Sequence, residues 1–268
     1  MSKPESSISN HSLGDLLETS LTSTPCVNIR KNAKVRVAAG MLVQYLETFT
    51  DSVVVRDDAN PVGVIGGREI IQGVFKNPTS DFFEMKFVEE ISDNRLCVVT
   101  SESSLKELIS KWRTVRRAFA IINVGNDDYS VISARKLLEI GMKSDSDFHI
   151  SKIPKKKIVT VDNEANFGDV IKLMLENKTR KILLEGTHQF INDRIIIETI
   201  EKFNFLLGRN NFLDIPINIV SPAEAFTISE DLSLSEISKI MYKMSQPLII
   251  HNDRVISPWD ICVTLGAI

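Results

Sequence analysis

The clearest alternation of apolar and polar positions lies near the C-terminal end of the chain. Phe226–Ile228 predicts a short strand, and the capping-box spacing of Ser233 and Glu236 predicts that a helix starts there. That helix has one apolar face, made by Leu234, Ile237, Ile240, Met241 and Met244. Two apolar runs, 247–250 and 254–257, are separated by turn residues and predict paired strands, and a closing helix follows from Trp259. The predicted order is therefore strand, helix, strand, strand, helix.

The same order of signals occurs three more times, so the chain is predicted to be a repeat protein. In the third copy the signals are a strand at 157–161, a helix capped by Asn166, and strands at 181–184 and 189–191. In the second copy they are a strand at 96–99, a helix capped by Ser104, strands at 118–122 and 129–132, and a helix at 134–139. In the first copy they are a strand at 26–29, a helix around 37–46, strands at 52–55 and 62–65, and a helix from Arg68. These patterns predict an α+β fold of four βαββα repeats.

Domain boundaries are predicted from polar segments. Residues 143–147 and 155–157 are polar and charged and separate the second copy from the third. One copy is too short to bury both faces of its sheet, so two copies are expected to pair. We expect a flexible N-terminus at 1–19, a first module at 20–150 made by repeats 1 and 2, and a second module at 151–268 made by repeats 3 and 4.

Composition narrows the class of protein. The 268 residues are 43% hydrophobic and 25% charged, with a net charge of −3, which is typical of a globular protein without a general affinity for nucleic acid. Cys26, Cys97 and Cys262 are far apart and predict neither disulfides nor a metal site. No apolar run is long enough to span a membrane, and residues 1–14 lack the apolar core of a signal peptide. We expect a cytoplasmic protein.

The turn between the last strand and the last helix is the candidate binding feature of each repeat, because a helix N-terminus offers unpaired N–H groups to an anion. These turns lie at 65–70, 132–137, 191–196 and 256–261. The repeated unit, with the segments GVIGGREII at 63–71 and PLII at 247–250, resembles the cystathionine beta-synthase (CBS) domain. The paired form of that domain is called a Bateman module. The resemblance covers almost the whole chain after Thr24 and implies two such modules.

The resemblance also implies ligand-binding residues. In that family a Ser or Thr ends the last strand, and an Asp three residues later binds the ribose hydroxyls of an adenine nucleotide. Ser257 and Asp260 match this pattern, although the same spacing is equally expected of ordinary helix capping. In repeat 1 Glu69 stands in place of the Asp. Repeats 2 and 3 have Lys136 and Ile195 there, so neither supplies the carboxylate.

Further residues are implied around the nucleotide. Basic residues before the middle strand recruit phosphate in the family, and the corresponding residues are Arg116, Arg117, Arg180 and Lys181. Ordinary solvated charges at a strand entry are the alternative. Phe226, Thr227 and Ile228 could border the adenine ring or could be core residues.

The sequence predicts a non-catalytic regulatory protein. No nucleophile motif or Walker-type glycine loop is present, and the four histidines are scattered. The resemblance implies AMP, ADP, ATP or S-adenosylmethionine as a regulatory ligand, with no required cofactor, and signalling through a homodimer or a partner protein. One alternative is an interaction scaffold of degenerate, ligand-free repeats. Another is a nucleic-acid-binding patch at 111–117, although Trp112 also continues the apolar face of its helix.

Overall fold

The computed structural model describes residues 7–44, 52–125, 128–207 and 211–268, with side chains omitted at 125 and 203–207. Each repeat has the predicted order of elements. Repeat 1 consists of β1 (Asn28–Arg30), α2 (Val35–Gln44), β2 (Ser52–Asp57), β3 (Asn60–Gly66) and α3 (Gly67–Lys76). The predicted end of its first helix, at 45–46, lies outside the described residues. Repeat 2 consists of β4 (Val98–Val99), α5 (Leu105–Val115), β5 (Phe119–Gly125), β6 (Asp128–Ser133) and α6 (Ala134–Met142).

The other two repeats follow the same order. Repeat 3 consists of β7 (Thr160–Val161), α7 (Phe167–Asn177), β8 (Lys181–Leu184), β9 (Gln189–Asn192) and α8 (Asp193–Leu207), and β10 (Ala223–Glu224) adds to its sheet. Repeat 4 consists of β11 (Phe226–Ile228), α9 (Leu234–Lys243), β12 (Ile249–His251), β13 (Arg254–Ile256) and α10 (Pro258–Leu265). Two short helices lie outside the repeats: α1 (Leu13–Leu17) and α4 (Ser80–Met85).

The strands of each repeat form one small sheet with the middle strand in the centre. In repeat 1, β1 is parallel to β2 and pairs Ile29 with Val55, while β3 is antiparallel to β2. Repeats 2 and 3 have the same arrangement. A parallel pair needs a crossover connection, and the first helix of the repeat provides it. The last strand then leads directly into the closing helix, whose N-terminus is placed at the end of the sheet.

Helix starts agree with the capping signals. Ser104, Asn166 and Ser233 accept hydrogen bonds from the backbone N–H three residues later, at 3.1, 3.0 and 3.3 Å. Each of these caps satisfies a donor that the first turn leaves without an intrahelical partner. The helices predicted from Ser104, Asn166 and Ser233 are therefore confirmed.

The repeats group into two compact units that differ from the expected modules. Unit 1 comprises 1–26, 95–156 and 227–268 and contains repeats 2 and 4, whereas unit 2 comprises 27–94 and 157–226 and contains repeats 1 and 3. The expected boundary at 150 therefore does not separate the compact units. The reason is helix packing, since each unit has an apolar core to which the helices of both its repeats contribute. Which repeats form a Bateman module in the ligand-binding sense stays a prediction.

Close helix contacts occur within each unit. In unit 1, α6 packs against α9, where a Cβ built on Gly141 would lie 2.2 Å from Ser238 Oγ. In unit 2, α2 and α3 pack against α8. A Cβ on Gly67, the first residue of α3, would lie 2.3 Å from Asp193 Oδ2, at the start of α8. Glycine is required at both positions for this approach.

The N-terminal segment is ordered from Ser7, contrary to the expectation for 1–19, of which residues 1–6 lie outside the described residues. It forms short helices, and Leu13, Leu17 and Leu21 are buried in the core of unit 1. Leu13 N–H also donates to Ser103 O at 2.9 Å. These leucines are four residues apart, which is typical of one face of a helix. The polar composition of the segment nevertheless favoured the expectation of a flexible N-terminus. Over the described ranges, no helix is both long enough and apolar enough to cross a membrane.

Candidate functional site

The turn of repeat 4 holds Asp260 as a buried carboxylate at the start of α10. The side chain of Asp260 is 6% exposed, and its Oδ2 accepts hydrogen bonds from Ser257 N at 2.9 Å and Ser257 Oγ at 2.8 Å. Pro258 occupies the first helical position, where no backbone donor is needed. The structure thus brings together Ser257 and Asp260, and it also shows the capping interaction that their spacing allowed.

The other oxygen of Asp260 faces a cation that the sequence did not single out. Lys156 Nζ pairs with Asp260 Oδ1, and the Lys156 side chain is 50% exposed. A carboxylate has about four lone-pair positions, of which the two hydrogen bonds from Ser257 and this ion pair use three. Since a half-exposed lysine is held weakly, Oδ1 is the oxygen that a ligand hydroxyl can reach by displacing it.

Repeat 1 ties its carboxylate to an arginine instead. Glu69 is buried, accepts from Gly66 N at 2.9 Å, and pairs with Arg68 Nε at 2.9 Å. Arg68 also bridges to Asp93 at 2.9 Å. Glu69 therefore lies where the resemblance placed it, at the helix start, but it is held in a three-residue ion network.

Repeat 2 has a lysine in the equivalent position, as its sequence shows. Lys136 is buried, and its Nζ contacts Ser23 Oγ at 3.1 Å and Glu139 at 3.2 Å. Ser133 caps the helix by accepting from Lys136 N at 3.4 Å. This turn presents a neutralised cation where repeat 4 presents a carboxylate.

Repeat 3 contains a carboxylate that sequence reasoning missed. Asp193, 3% exposed at its side chain, pairs with Arg180 through both oxygens, at 2.6 Å to Nε and 3.3 Å to Nη2. Asn192 caps α8 by accepting from Ile195 N at 2.8 Å. Asp193 directly follows Asn192, two residues before Ile195, the position where the family pattern has its carboxylate. The available signal was an Asp at the first position of a helix.

The predicted phosphate-binding residues lie at the strand entries but have local roles. Arg180 belongs to the ion pair with Asp193, and Lys181 lies over the Phe190 ring with Nζ 5.6 Å from the centroid. Arg116 has a left-handed backbone at the end of α5 and is exposed, and Arg117 N donates to Trp112 O at 3.2 Å. Their role toward phosphate stays a prediction.

The residues predicted to border the base differ in exposure. Phe226 is 48% exposed, Thr227 is exposed, and Ile228 is partly buried and packs against the core of unit 1. Phe226 is therefore not a core residue, which was the alternative interpretation. Trp112 is fully buried, so its ring is not part of a surface patch that could stack on nucleic-acid bases.

The two buried cysteines, Cys97 and Cys262, are poor nucleophiles. Burial raises the pKa of the Cys262 thiol on α10, and burial raises the pKa of Cys97 to about 11, so both remain protonated near neutral pH. Within the described ranges, no cluster of three His, Cys, Asp or Glu side chains could hold a metal ion.

Comparison with solved structures identifies the fold. Protein MJ1225 from Methanocaldococcus jannaschii, a suggested archaeal homolog of g-AMPK, is 16% identical with a TM-score of 0.76, and the match covers 95% of this chain and 99% of that one. An uncharacterized conserved protein from Pyrococcus horikoshii is 12% identical with a TM-score of 0.55, covering 92% and 99%. The CBS domain protein PAE2072 from Pyrobaculum aerophilum, complexed with AMP, is 20% identical with a TM-score of 0.37, covering 47% and 90%.

The similarity to the first two of these structures and the four repeats confirm the predicted fold. The chain has the tandem CBS-domain fold, and a structure similar over nearly its whole length is that of the suggested g-AMPK homolog. No protein-family model matches the sequence, and no curated protein matches it significantly. Because the sequence identities are this low, the structural similarity establishes the fold alone. The ligand must be inferred from the residues of this chain.

Proposed function

We propose that this chain is a non-catalytic regulatory protein that binds an adenine nucleotide at the start of α10. Asp260 would accept hydrogen bonds from the ribose hydroxyls, and Ser257 would hold the carboxylate in place. The observation that carries the proposal is a buried carboxylate with one oxygen fixed by its own turn and the other paired, among the described residues, with a half-exposed lysine. The similarity to a suggested g-AMPK homolog supports a regulatory role.

A carboxylate of this kind suits a ribose diol. Oδ1, the oxygen that Ser257 does not use, has two lone-pair positions for the two hydroxyls, and a hydrogen bond to a charged acceptor contributes more than one between neutral groups. The turn is already ordered by Ser257, so little conformational entropy is lost on binding. AMP, ADP, ATP and S-adenosylmethionine all carry this diol, so the site as described does not choose among them.

If Arg180 bound phosphate, as predicted, it would have to give up an existing ion pair in this structure. Its guanidinium makes two contacts with Asp193, and a phosphate would have to replace them while leaving Asp193 buried. Leaving the buried Asp193 without its partner is unfavourable, an effect moderated by the 43% exposure of Arg180. We therefore base the proposal on Asp260 rather than on Arg180.

The second candidate function is an interaction scaffold without a ligand. It is favoured by the turns of repeats 1, 2 and 3, in which Glu69, Lys136 and Asp193 are each held in a local ion pair. In that case only repeat 4 would retain a remnant of a site. Under either function we expect a cytoplasmic homodimer, and light scattering on the purified chain measures the oligomeric state.

Isothermal titration of the wild-type protein with AMP, ADP, ATP and S-adenosylmethionine separates the two functions. Adenosine is included to test whether the ribose and base suffice, and inosine to test whether the adenine is recognised. Saturable binding of at least one adenine ligand is expected. No heat and no binding with any of them would favour the scaffold.

A further inference from the structure

The segment 149–156, which we call the strap, lies along repeat 4 within unit 1. Ile150 N donates to Leu232 O at 3.0 Å, and His149 forms a β-bridge with Ser233. Ile150 and Ile153 are buried at 0% and 3% exposure, so the first part of the strap belongs to the core. The sequence showed this region only as a polar boundary.

Polar contacts fix the same part of the strap. Ser151 donates to Asp231 from its N at 2.9 Å and from its Oγ at 2.7 Å. Arg254 donates to Ile153 O at 3.0 Å. These contacts place residues 149–153 firmly on repeat 4.

The end of the strap is held differently. Residues 154–156 are exposed and have no regular secondary structure, and two ion pairs attach them, Lys155 to Asp253 and Lys156 to Asp260. The first pair is exposed on both sides, and such pairs contribute little to stability. The second reaches the buried carboxylate that the proposed function assigns to ribose.

We propose that Lys156 occupies the ribose site in the ligand-free protein and that a ribose diol displaces it from Asp260, which frees the end of the strap. This inference rests on the proposed function. Ser257 already uses both lone-pair positions of Oδ2, so the two hydroxyls of a ribose diol need both positions of Oδ1, one of which Lys156 occupies. Ligand binding is thereby coupled to a change at 154–156, and the coupling equals the difference in ligand affinity between the held and the freed strap.

Removal of the competing lysine tests the displacement. Adenosine is the probe, because it carries the diol without a phosphate that Lys156 could bind directly. The Lys156→Ala protein should bind adenosine more tightly, by about two- to fivefold, since a half-exposed ion pair no longer competes. Lys155→Ala is the matched control: it removes the same charge one residue away, from the pair with Asp253, and should stay within about twofold of wild type.

Two results of this titration overturn the inference. One is unchanged adenosine affinity in Lys156→Ala. The other is weaker binding of AMP in Lys156→Ala with no gain for adenosine, which would make Lys156 a phosphate ligand. If wild type binds neither adenosine nor any nucleotide, the proposed function fails, and the attachment of the strap is judged by proteolysis alone.

Limited trypsin digestion measures the attachment without any ligand. Asp260→Asn keeps every lysine but removes the charge that holds Lys156, so cleavage after residues 155–157 should be about threefold faster than in wild type, because proteolysis follows the population of the freed segment. Cleavage after Lys178, in unit 2, is the internal control. Equal cleavage rates at 155–157 in Asp260→Asn and wild type would overturn the attachment.

Discussion

At the scale of single residues, the turns of repeats 1, 3 and 4 all contain a buried carboxylate. They differ more in the residue that pairs with this carboxylate than in its position. Glu69, Asp193 and Asp260 are all buried at helix starts. Arginine pairs with the first two, and Arg180 contacts both oxygens of Asp193, whereas a single lysine contact holds Oδ1 of Asp260. Sequence spacing correctly placed Ser257 and Asp260 at the start of α10. It could not reveal Lys156, which lies about a hundred residues earlier and meets Asp260 only through folding.

The pair of Arg180 and Asp193 gives a prediction at this scale. Arg180→Ala should lower the free energy of unfolding by about 1–3 kcal/mol, because Asp193 keeps its buried charge without the guanidinium, an effect moderated by the 43% exposure of Arg180. Urea denaturation measures it. Arg113→Ala, on the exposed face of α5, is the control and should change stability by less than about 0.5 kcal/mol. An Arg180→Ala protein as stable as wild type, with only its phosphate binding weakened, would support the phosphate role instead.

At the scale of elements, capping signals located the helices well, while the first strand of repeats 1, 2 and 3 is shorter than its predicted range. The expected strand 157–161 is reduced to Thr160–Val161, whose register partners in β8 are Leu183 and Leu184, although Val159 O still accepts from Leu183 N. Hydrophobic pattern alone does not show where a partner strand ends. The close approach of α3 and α8 was likewise hidden, although Gly66 and Gly67 were visible in the sequence.

Two glycine-to-alanine changes test this packing. Gly67→Ala should lower the free energy of unfolding by about 1–3 kcal/mol, because its Cβ would collide with the Asp193 carboxylate. Gly40→Ala is the matched control inside α2, where an added Cβ meets nothing within 4 Å, and it should raise stability by about 0.5–1 kcal/mol. Thermal and urea denaturation of both variants measure the difference. Equal effects at the two positions would contradict the close contact described for Gly67.

At the scale of the whole molecule, the fold was predictable and the grouping of its repeats was not. Four copies of one pattern could be found without a structure, because each carries its own caps and apolar faces. The sequence contains no comparable signal for which helix faces meet, so neighbouring repeats were expected to form compact modules. The compact units join repeat 2 with repeat 4 and repeat 1 with repeat 3, and the modules at 20–150 and 151–268 stay a prediction.

Division of the chain at residue 150 tests this grouping. Each fragment would contain one half of both cores: α6 would lack α9, and α2 and α3 would lack α8. Fragment 1–150 should therefore associate or lose cooperative unfolding, since large apolar faces become exposed. Light scattering and urea denaturation of the fragment measure both properties. A monomeric fragment that unfolds cooperatively would instead favour the modules expected at 20–150 and 151–268.

The central claim is that Asp260 binds the ribose of an adenine nucleotide, and the most direct measurement is calorimetric titration of AMP into Asp260→Asn beside wild type. Asp253→Asn, an exposed change of the same kind in the neighbouring turn, is the control. The account predicts that Asp260→Asn weakens AMP binding by at least about tenfold, since hydrogen bonds to a charged acceptor are lost, and that Asp253→Asn stays within about twofold of wild type. Equal AMP affinity in Asp260→Asn and wild type would contradict it.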